Sequence, residues 1–393
     1  MTREVVGSLI VLARSRVVGF SMNSRANIFS YGGKPESLGG RYGFISLVPF
    51  LAWFPMLTRH VVRNDIGAGV VAGILIVPQA VALATLAGLP PEYGLYTSII
   101  PVIVASLFGS SCKALSGPNT ALAIMIATAV SPYASVGTPD YIMYAITLSC
   151  MVGVFQLLIA VLGLGVVFNY FSQAVMVAIV TGVGIVIILR QVGNFLGLLM
   201  NMPEDIDFTV QQIAYSLALA NGYAFWVGLS TVVAGIAIKK LKPSWPHHIF
   251  AIIVGTFVSL VLDFIWGASV THIDRLGTMS LSVFPISYPD FSPSNFSEAA
   301  EGLIPASVLI AIMGMIQSTV IARSLASKSG ESVDMNQEVA GQGLSNIAGS
   351  FFSCFPACGS FNRSAANDEA GAITPLSGVV SAMILVLIIM RVI

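Results

Sequence analysis

Two short stretches, 109–118 (GSSCKALSGP) and 353–360 (SCFPACGS), interrupt apolar runs with clustered Gly and Pro. Each opens onto a segment too short to cross a bilayer alone, 119–130 and 361–371. Non-helical backbone at membrane depth survives only where it is buried in protein or lines a cavity. Paired interruptions in the two halves of a membrane chain point to the binding site of a carrier. The two stretches therefore predict a site built from the ends of broken helices.

The rest of the chain is apolar enough to surround such a site. Hydrophobic residues make up 56% and charged residues 9%, with a mean hydropathy of +0.88, against roughly 25% charged residues in soluble domains. Formal net charge is zero, so no bulk electrostatic argument favours nucleic acid. Cys112, Cys150, Cys354 and Cys358 lack the paired spacing of a zinc or redox centre and read as small buried residues. No nucleophile–base pair or metal-ligand cluster suggests an enzyme, and no cofactor or metal is implied.

The apolar stretch 5–13 is followed by Arg14 and Arg16, where a cleavable signal needs small residues. Residues 14–44 read as a disordered or interfacial lead-in. Residues 44–57, with Phe50, Trp53 and Phe54, read as an amphipathic segment on the membrane surface ahead of Arg59, His60 and Arg63. A full crossing needs roughly 17–25 apolar residues. Spans are expected near 66–87, 93–108, 119–130, 141–162, 172–196, 222–238, 246–265, 303–323, 338–352, 361–371 and 373–392. Eleven crossings from a cytoplasmic start put Lys113, Lys239, Lys240, Lys242, Arg323 and Lys328 inside, with the acidic 203–208 segment and the 266–300 loop outside.

The first and eighth spans lie at similar distances from their half-spans, and an odd number of spans separates the two units, so they insert with opposite orientation. The fold class expected is an all-α membrane protein of inverted-repeat, seven-plus-seven type, with two broken half-helices at the midplane. Its second repeat stops after four spans, which predicts a chain lacking three spans and any soluble domain after them.

Two facing half-helix N-termini present unpaired N–H groups and about half a positive charge each. Arg363, in the first turn of the second, adds a full charge and a donor fork, for a total on the order of +2. An Arg at membrane depth is a functional-site candidate by default; its structural alternative is to cap backbone carbonyls or to snorkel inward. Ser360 and Asn362 flank the turn, and Asn119 and Thr120 take the corresponding places on the first half-helix. Each is a ligand donor or a plain N-cap. Gln79 follows Pro78 midway along the first span and either reaches a substrate or bonds across helices.

The blocks IVPQ (76–79), AGLPP (87–91), GLY (94–96) and the Gly117-Pro118 pair resemble the signature of the sulfate permease (SulP) family of anion transporters. So do NQE (336–338), GLSNI (343–347) and GSFNR (359–363). The resemblance covers essentially 45–393. It implies two inverted seven-span repeats divided into core and gate domains, usually followed by a cytoplasmic STAS domain. On this chain it places a lead-in at 1–64, first-repeat core at 65–165 and first-repeat gate at 166–265. An extracellular loop follows at 266–302, then second-repeat core at 303–393. The substrate set it suggests is Gln79, Asn119, Thr120, Gln317, Gly359, Ser360, Phe361, Asn362 and Arg363. Two departures stand out: the family's acidic residue in the eighth span is Gln317 here, within GMIQS, and its Ser before the Arg is Asn362.

The function implied is secondary transport of a small inorganic anion, with sulfate leading and bicarbonate or chloride as alternatives. A nucleobase carrier of the same architecture and a non-transporting membrane interaction protein are the remaining alternatives. Partners are the anion, the lipid bilayer and, as an open option, a second copy in a homodimer, with no nucleic acid. A bacterial inner, or plasma, membrane location with a cytoplasmic N-terminus follows.

Overall fold

The computed structural model describes residues 49–165, 220–241, 247–273, 285–331 and 333–392, with scattered positions between 167 and 197. The lead-in before residue 49, most of the fifth span and the acidic 203–208 segment lie outside the described residues. The chain divides into two compact units, residues 1–171 with 281–393, and residues 172–280.

In the first unit, a short helical stretch at Phe50–Trp53 and Phe54–Met56 precedes α1, Arg59–Leu86. Thr58 caps α1 by accepting from the Val61 amide at 3.4 Å. The second span is divided into α2, Pro91–Thr97, and α3, Ile100–Phe108. Pro91 and Pro101 sit in the first turns of these pieces, where a missing N–H costs nothing. The chain then passes through a two-residue strand β1, Ser116–Gly117, into the short helix α4, Thr120–Val130, and on to α5, Pro139–Val161.

The same order recurs at the other end of the sequence. A long helix, here called α8, Pro293–Ser329, leads to α9, Met335–Ser350, then strand β2, Cys358–Gly359. The short helix α10, Phe361–Glu369, and the longer α11, Leu376–Val392, follow. Strands β1 and β2 pair antiparallel, Ser116 with Gly359 and Gly117 with Cys358. Antiparallel pairing of equivalent strands is what two units of opposite direction require.

The eighth span differs from expectation in length. It begins ten residues before the expected 303, inside the stretch read as loop, because Ser292 and Pro293 start a helix regardless of polarity. Apolar content sets how much of a helix lies in lipid, not where the helix starts. Its end is local too: Gly330 takes the left-handed conformation at φ 74°.

Helices of the two repeats interleave. α1 packs along α11, and α5 along α9. At the α5–α9 contact the backbones nearly touch. A Cβ on Gly343 would stand 2.7 Å from the Leu157 nitrogen and 2.9 Å from the Gly153 carbonyl oxygen, and one on Gly153 2.7 Å from the Gly343 oxygen. Small residues of this kind let membrane helices gain van der Waals contact where lipid offers no hydrophobic drive between them. A core of Leu122, Ile126, Leu148, Val152, Ile310 and Phe355 fills the centre. Tyr141, fully buried on α5, donates 2.7 Å to the Ala87 carbonyl and so fixes the turn between α1 and α2.

In the second unit, α6, Gly222–Leu241, and α7, His247–Trp266, pack on each other. Asn221 accepts from the Tyr223 amide at 2.9 Å and donates to the Thr271 carbonyl at 2.8 Å, which ties the start of α6 to the turn after α7.

Replacing Gly343 by Val is expected to destabilise the protein by about 1–3 kcal/mol through forced separation of α5 and α9. Thermal unfolding in detergent measures this, and an unchanged midpoint would contradict the backbone contact.

Candidate functional site

The two interruptions meet. Besides the strand pairing, the Ser360 amide donates to the Leu115 carbonyl at 2.9 Å, and the Leu115 amide to Ser364 Oγ at 2.9 Å. Asn119 is the N-cap of α4: its Oδ1 accepts from the Ala121 amide at 3.0 Å, while Nδ2 donates to the Gly359 carbonyl at 3.2 Å. The starts of α4 and α10 are thus joined by a single side chain.

Arg363 lies at the centre of this crossing, 2% exposed. Its Nη1 donates to the Ser116 carbonyl and Nη2 to the Pro118 carbonyl, each at 3.0 Å. The fork expected for an anion closes instead on two carbonyls of the opposite segment, and Nε is buried with no hydrogen-bond partner among the described residues. The guanidinium acts at this site as a fixed charge and a clamp.

Direct donors come from the backbone. Ser360 caps α10 without a side-chain bond, and the amides of Phe361, Asn362 and Arg363 find no acceptor among the described residues. On α4 the amides of Thr120 and Leu122 are in the same position, Ala121 being served by Asn119. Free amides at a helix N-terminus carry the positive end of its dipole. Phe361 and Asn362 are exposed at this point, and Thr120 is half-buried.

The remaining expected residues take varied places. The Gly359 amide donates to Ser318 Oγ at 2.8 Å and its carbonyl holds Asn119, so its backbone serves the crossing itself. Gln317, on α8, accepts from Cys358 Sγ at 3.4 Å. Gln79 is half-buried beside the exposed Pro78, and its side chain makes no hydrogen bond among the described residues. Its helix, α1, packs against both α4 and α10.

A layer of neutral polar residues behind the crossing escaped the reading of the sequence. Asn346 accepts from the Ala357 amide at 2.8 Å and donates to its carbonyl at 3.0 Å; Gln156 Oε1 accepts from Asn346 Nδ2 at 2.9 Å. The signal available was the run of Gln342, Ser345 and Asn346 on one stretch of a helix expected among apolar neighbours. At one end of the crossing, Lys113 pairs with Asp368 at 2.8 Å, and half-buried Glu338 accepts from the Ser110 and Ser111 amides at 2.8 and 2.9 Å. Asp65, fully buried, does the same for Ile373 and Thr374 at 2.7 and 3.1 Å.

The sequence model of the Sulfate permease family matches residues 62–393. The chain belongs to that family. It is 33% identical over 341 residues to the probable sulfate transporter 4.2 of Arabidopsis thaliana, covering 86% of this chain and 50% of that protein. The chain therefore spans about half the length of this relative. Its fold is that of the murine Solute Carrier 26 family member A9 anion transporter in the inward-facing state, with a TM-score of 0.75 at 23% identity, over 91% of this chain and 62% of that one. The transmembrane domain of the cyanobacterial bicarbonate transporter BicA matches with a TM-score of 0.70 at 22% identity, over 85% and 83%. Family membership and helices long and apolar enough to cross a bilayer, α1, α5 and α6 among them, make this an integral multi-pass membrane protein.

Within the family fold, Gly117 carries a testable constraint. Its φ is +141°, and a Cβ there would lie against both terminal nitrogens of Arg363, 2.8 Å from Nη2. Gly117→Ala is expected to cost about 1–3 kcal/mol of stability through backbone strain and a displaced guanidinium. Thermal unfolding checks it, and Gly117→Ala with wild-type stability would show that the clamp tolerates displacement.

Proposed function

We propose that the chain is the transmembrane part of a secondary transporter of small inorganic anions, with sulfate as the leading substrate. The single observation that carries this reading is the set of unpartnered amides at the starts of α4 and α10, gathered around the buried charge of Arg363. Backbone donors beside a fixed, buried cation attract an anion of any shape that fits, without a proton or a metal. A nucleobase would leave the guanidinium charge without compensation. The relatives named as sulfate transporters support sulfate ahead of bicarbonate or chloride.

The substrate-facing groups in this reading are the amides of Phe361, Asn362 and Arg363 and the side chains of Thr120, Ser360, Asn362 and Gln79. Asn119, Gly359 and Gln317 shape the crossing. Residues 65–165 and 303–393 form a core that carries the anion, and 166–265 contributes to a gate past which the core moves. The dense bonding within the first unit supports movement as one body. The protein works in a bacterial inner, or plasma, membrane with its N-terminus in the cytoplasm, as a transporter and not an enzyme. A homodimer is compatible with this arrangement.

Uptake of radiolabelled sulfate into proteoliposomes by the full-length protein, with bicarbonate and chloride as competitors, tests the reading. Arg363→Ala is expected to lower uptake at sub-saturating sulfate by about two orders of magnitude, since it removes the charge and frees two buried carbonyls. Arg363→Lys should retain part of the activity, because the charge stays while the clamp is lost. Undiminished uptake in Arg363→Ala would remove the electrostatic basis of the proposal.

Gln317 gives a second outcome. An amide cannot take up a proton, so native uptake is expected to respond little to an imposed pH gradient, and Gln317→Glu to introduce a response. Strong proton-driven uptake by the native protein, measured in the same vesicles, would show that coupling does not depend on this position.

A further inference from the structure

One neutral amide links both interrupted segments to the helices behind them. Gln342, on α9, is 2% exposed. Its Oε1 accepts from Ser116 Oγ at 2.5 Å and Ser318 Oγ at 3.2 Å, and its Nε2 donates to the Ala357 carbonyl at 2.8 Å and Ser345 Oγ at 3.1 Å. Both lone pairs and both hydrogens of the amide are thereby used.

The partners occupy decisive positions. Ser116 belongs to β1, and its own carbonyl is one of the two that Arg363 holds. Ala357 immediately precedes β2, and Ser318 accepts from the Gly359 amide within β2. A shift of Gln342 therefore moves β1, β2 and the Arg363 clamp together. Asn346 grips only the Ala357 side of this assembly.

We infer that Gln342 is a positioning residue for anion recognition, setting the separation and direction of the two helix N-termini without itself meeting the anion. The inference rests on the anion-transport reading. Glutamate in its place would lose both donors and set a charge against the Ala357 carbonyl. Methionine would match its length but leave the Ser116 and Ser318 hydroxyls without their acceptor, and the Ala357 carbonyl with Asn346 alone. Either change alters how the amides of α4 and α10 converge, so the effect belongs in apparent affinity.

The test is the concentration dependence of radiolabelled sulfate uptake by the full-length protein in proteoliposomes. Gln342→Met is expected to raise KM about tenfold with Vmax changed less than about threefold, the scale of an unsatisfied buried hydrogen-bonding group. Ser116→Ala should raise KM in the same direction, and the double variant should fall short of the product of the two, because they share one contact. Tyr141→Phe, which removes a buried hydrogen bond remote from the crossing, should lower the melting temperature and leave KM alone.

A wild-type KM in Gln342→Met, a fall in Vmax alone, or an equal rise of KM in Tyr141→Phe overturns the positioning role. Where Gln342→Met does not fold, Ser116→Ala and Ser318→Ala carry the same comparison, and unchanged KM in both overturns it. No saturable uptake of sulfate, bicarbonate or chloride by the wild-type protein would overturn the transport reading and this inference with it. That outcome is distinct from unchanged variants of an active protein.

Discussion

The antiparallel contact between β1 and β2 is the constraint on which the first unit depends. Two segments of irregular backbone lie inside a body of apolar helices, where each unsatisfied N–H or C=O costs several kcal/mol or about that order. Four residues of strand pairing cannot serve them all. The surrounding side chains therefore take up the remainder: Arg363 the carbonyls of Ser116 and Pro118, Asn119 that of Gly359, Asn346 and Gln342 that of Ala357. Thr97 Oγ1 accepts from the Phe355 amide at 3.1 Å, bringing the α2–α3 break into the same scheme. Among the described residues, the amides in the first turns of α4 and α10 keep no acceptor. The proposed site is the part of the crossing that the protein leaves unanswered.

The chemistry of the supporting layer follows from its burial. Gln156, Gln342, Ser345 and Asn346 are neutral, so their mutual bonds need no compensation for a desolvated charge. The carboxylates of Asp65, fully buried, and Glu338, half-buried, are not members of this layer and are met by backbone amides from the other end of the chain. Lys113 and Asp368, both partly exposed, form an ion pair between the first interruption and the end of α10. Arg363 is thus a fixed positive charge set among neutral partners, and its field reaches the free amides with little local cancellation.

The interruptions were legible in the sequence because Gly, Pro and Ser cluster there against apolar flanks, and the half-helix starts expected at 119 and 361 lie within one residue of those observed, Thr120 and Phe361. The position of Arg363 was legible as well, since a charge stands out in such a stretch. Its partners were not. A backbone carbonyl leaves no mark in residue type, so whether a guanidinium meets an anion or caps Ser116 and Pro118 depends on the tertiary path of a segment more than two hundred residues away. The extension of α8 back to Pro293 escaped for a related reason: hydropathy locates the lipid-facing part of a helix, whereas Ser292 and Pro293 locate its start. The close approach of Gly153 and Gly343 depends on the facing helix, and neither glycine announces it alone.

With both terminal nitrogens of Arg363 engaged, recognition at the proposed site divides into two tasks. The guanidinium and the two helix dipoles supply attraction by sign, which acts over several ångströms and makes small demands on the shape of the ion. The amides of α4 and α10 supply direction, because each N–H is fixed by its helix and cannot turn to follow a differently sized ligand. Neither task distinguishes a tetrahedral from a planar oxyanion through side-chain chemistry. That discrimination falls to groups projecting past the amides: Asn362 and Phe361, both exposed at the start of α10, and Thr120 opposite them. In the proposed site, Asn362 in place of the family's serine would alter the substrate-facing rim while leaving the Arg363 clamp and the Gln342 support intact, so selectivity could change on this scaffold without disturbing the bonds that hold it together.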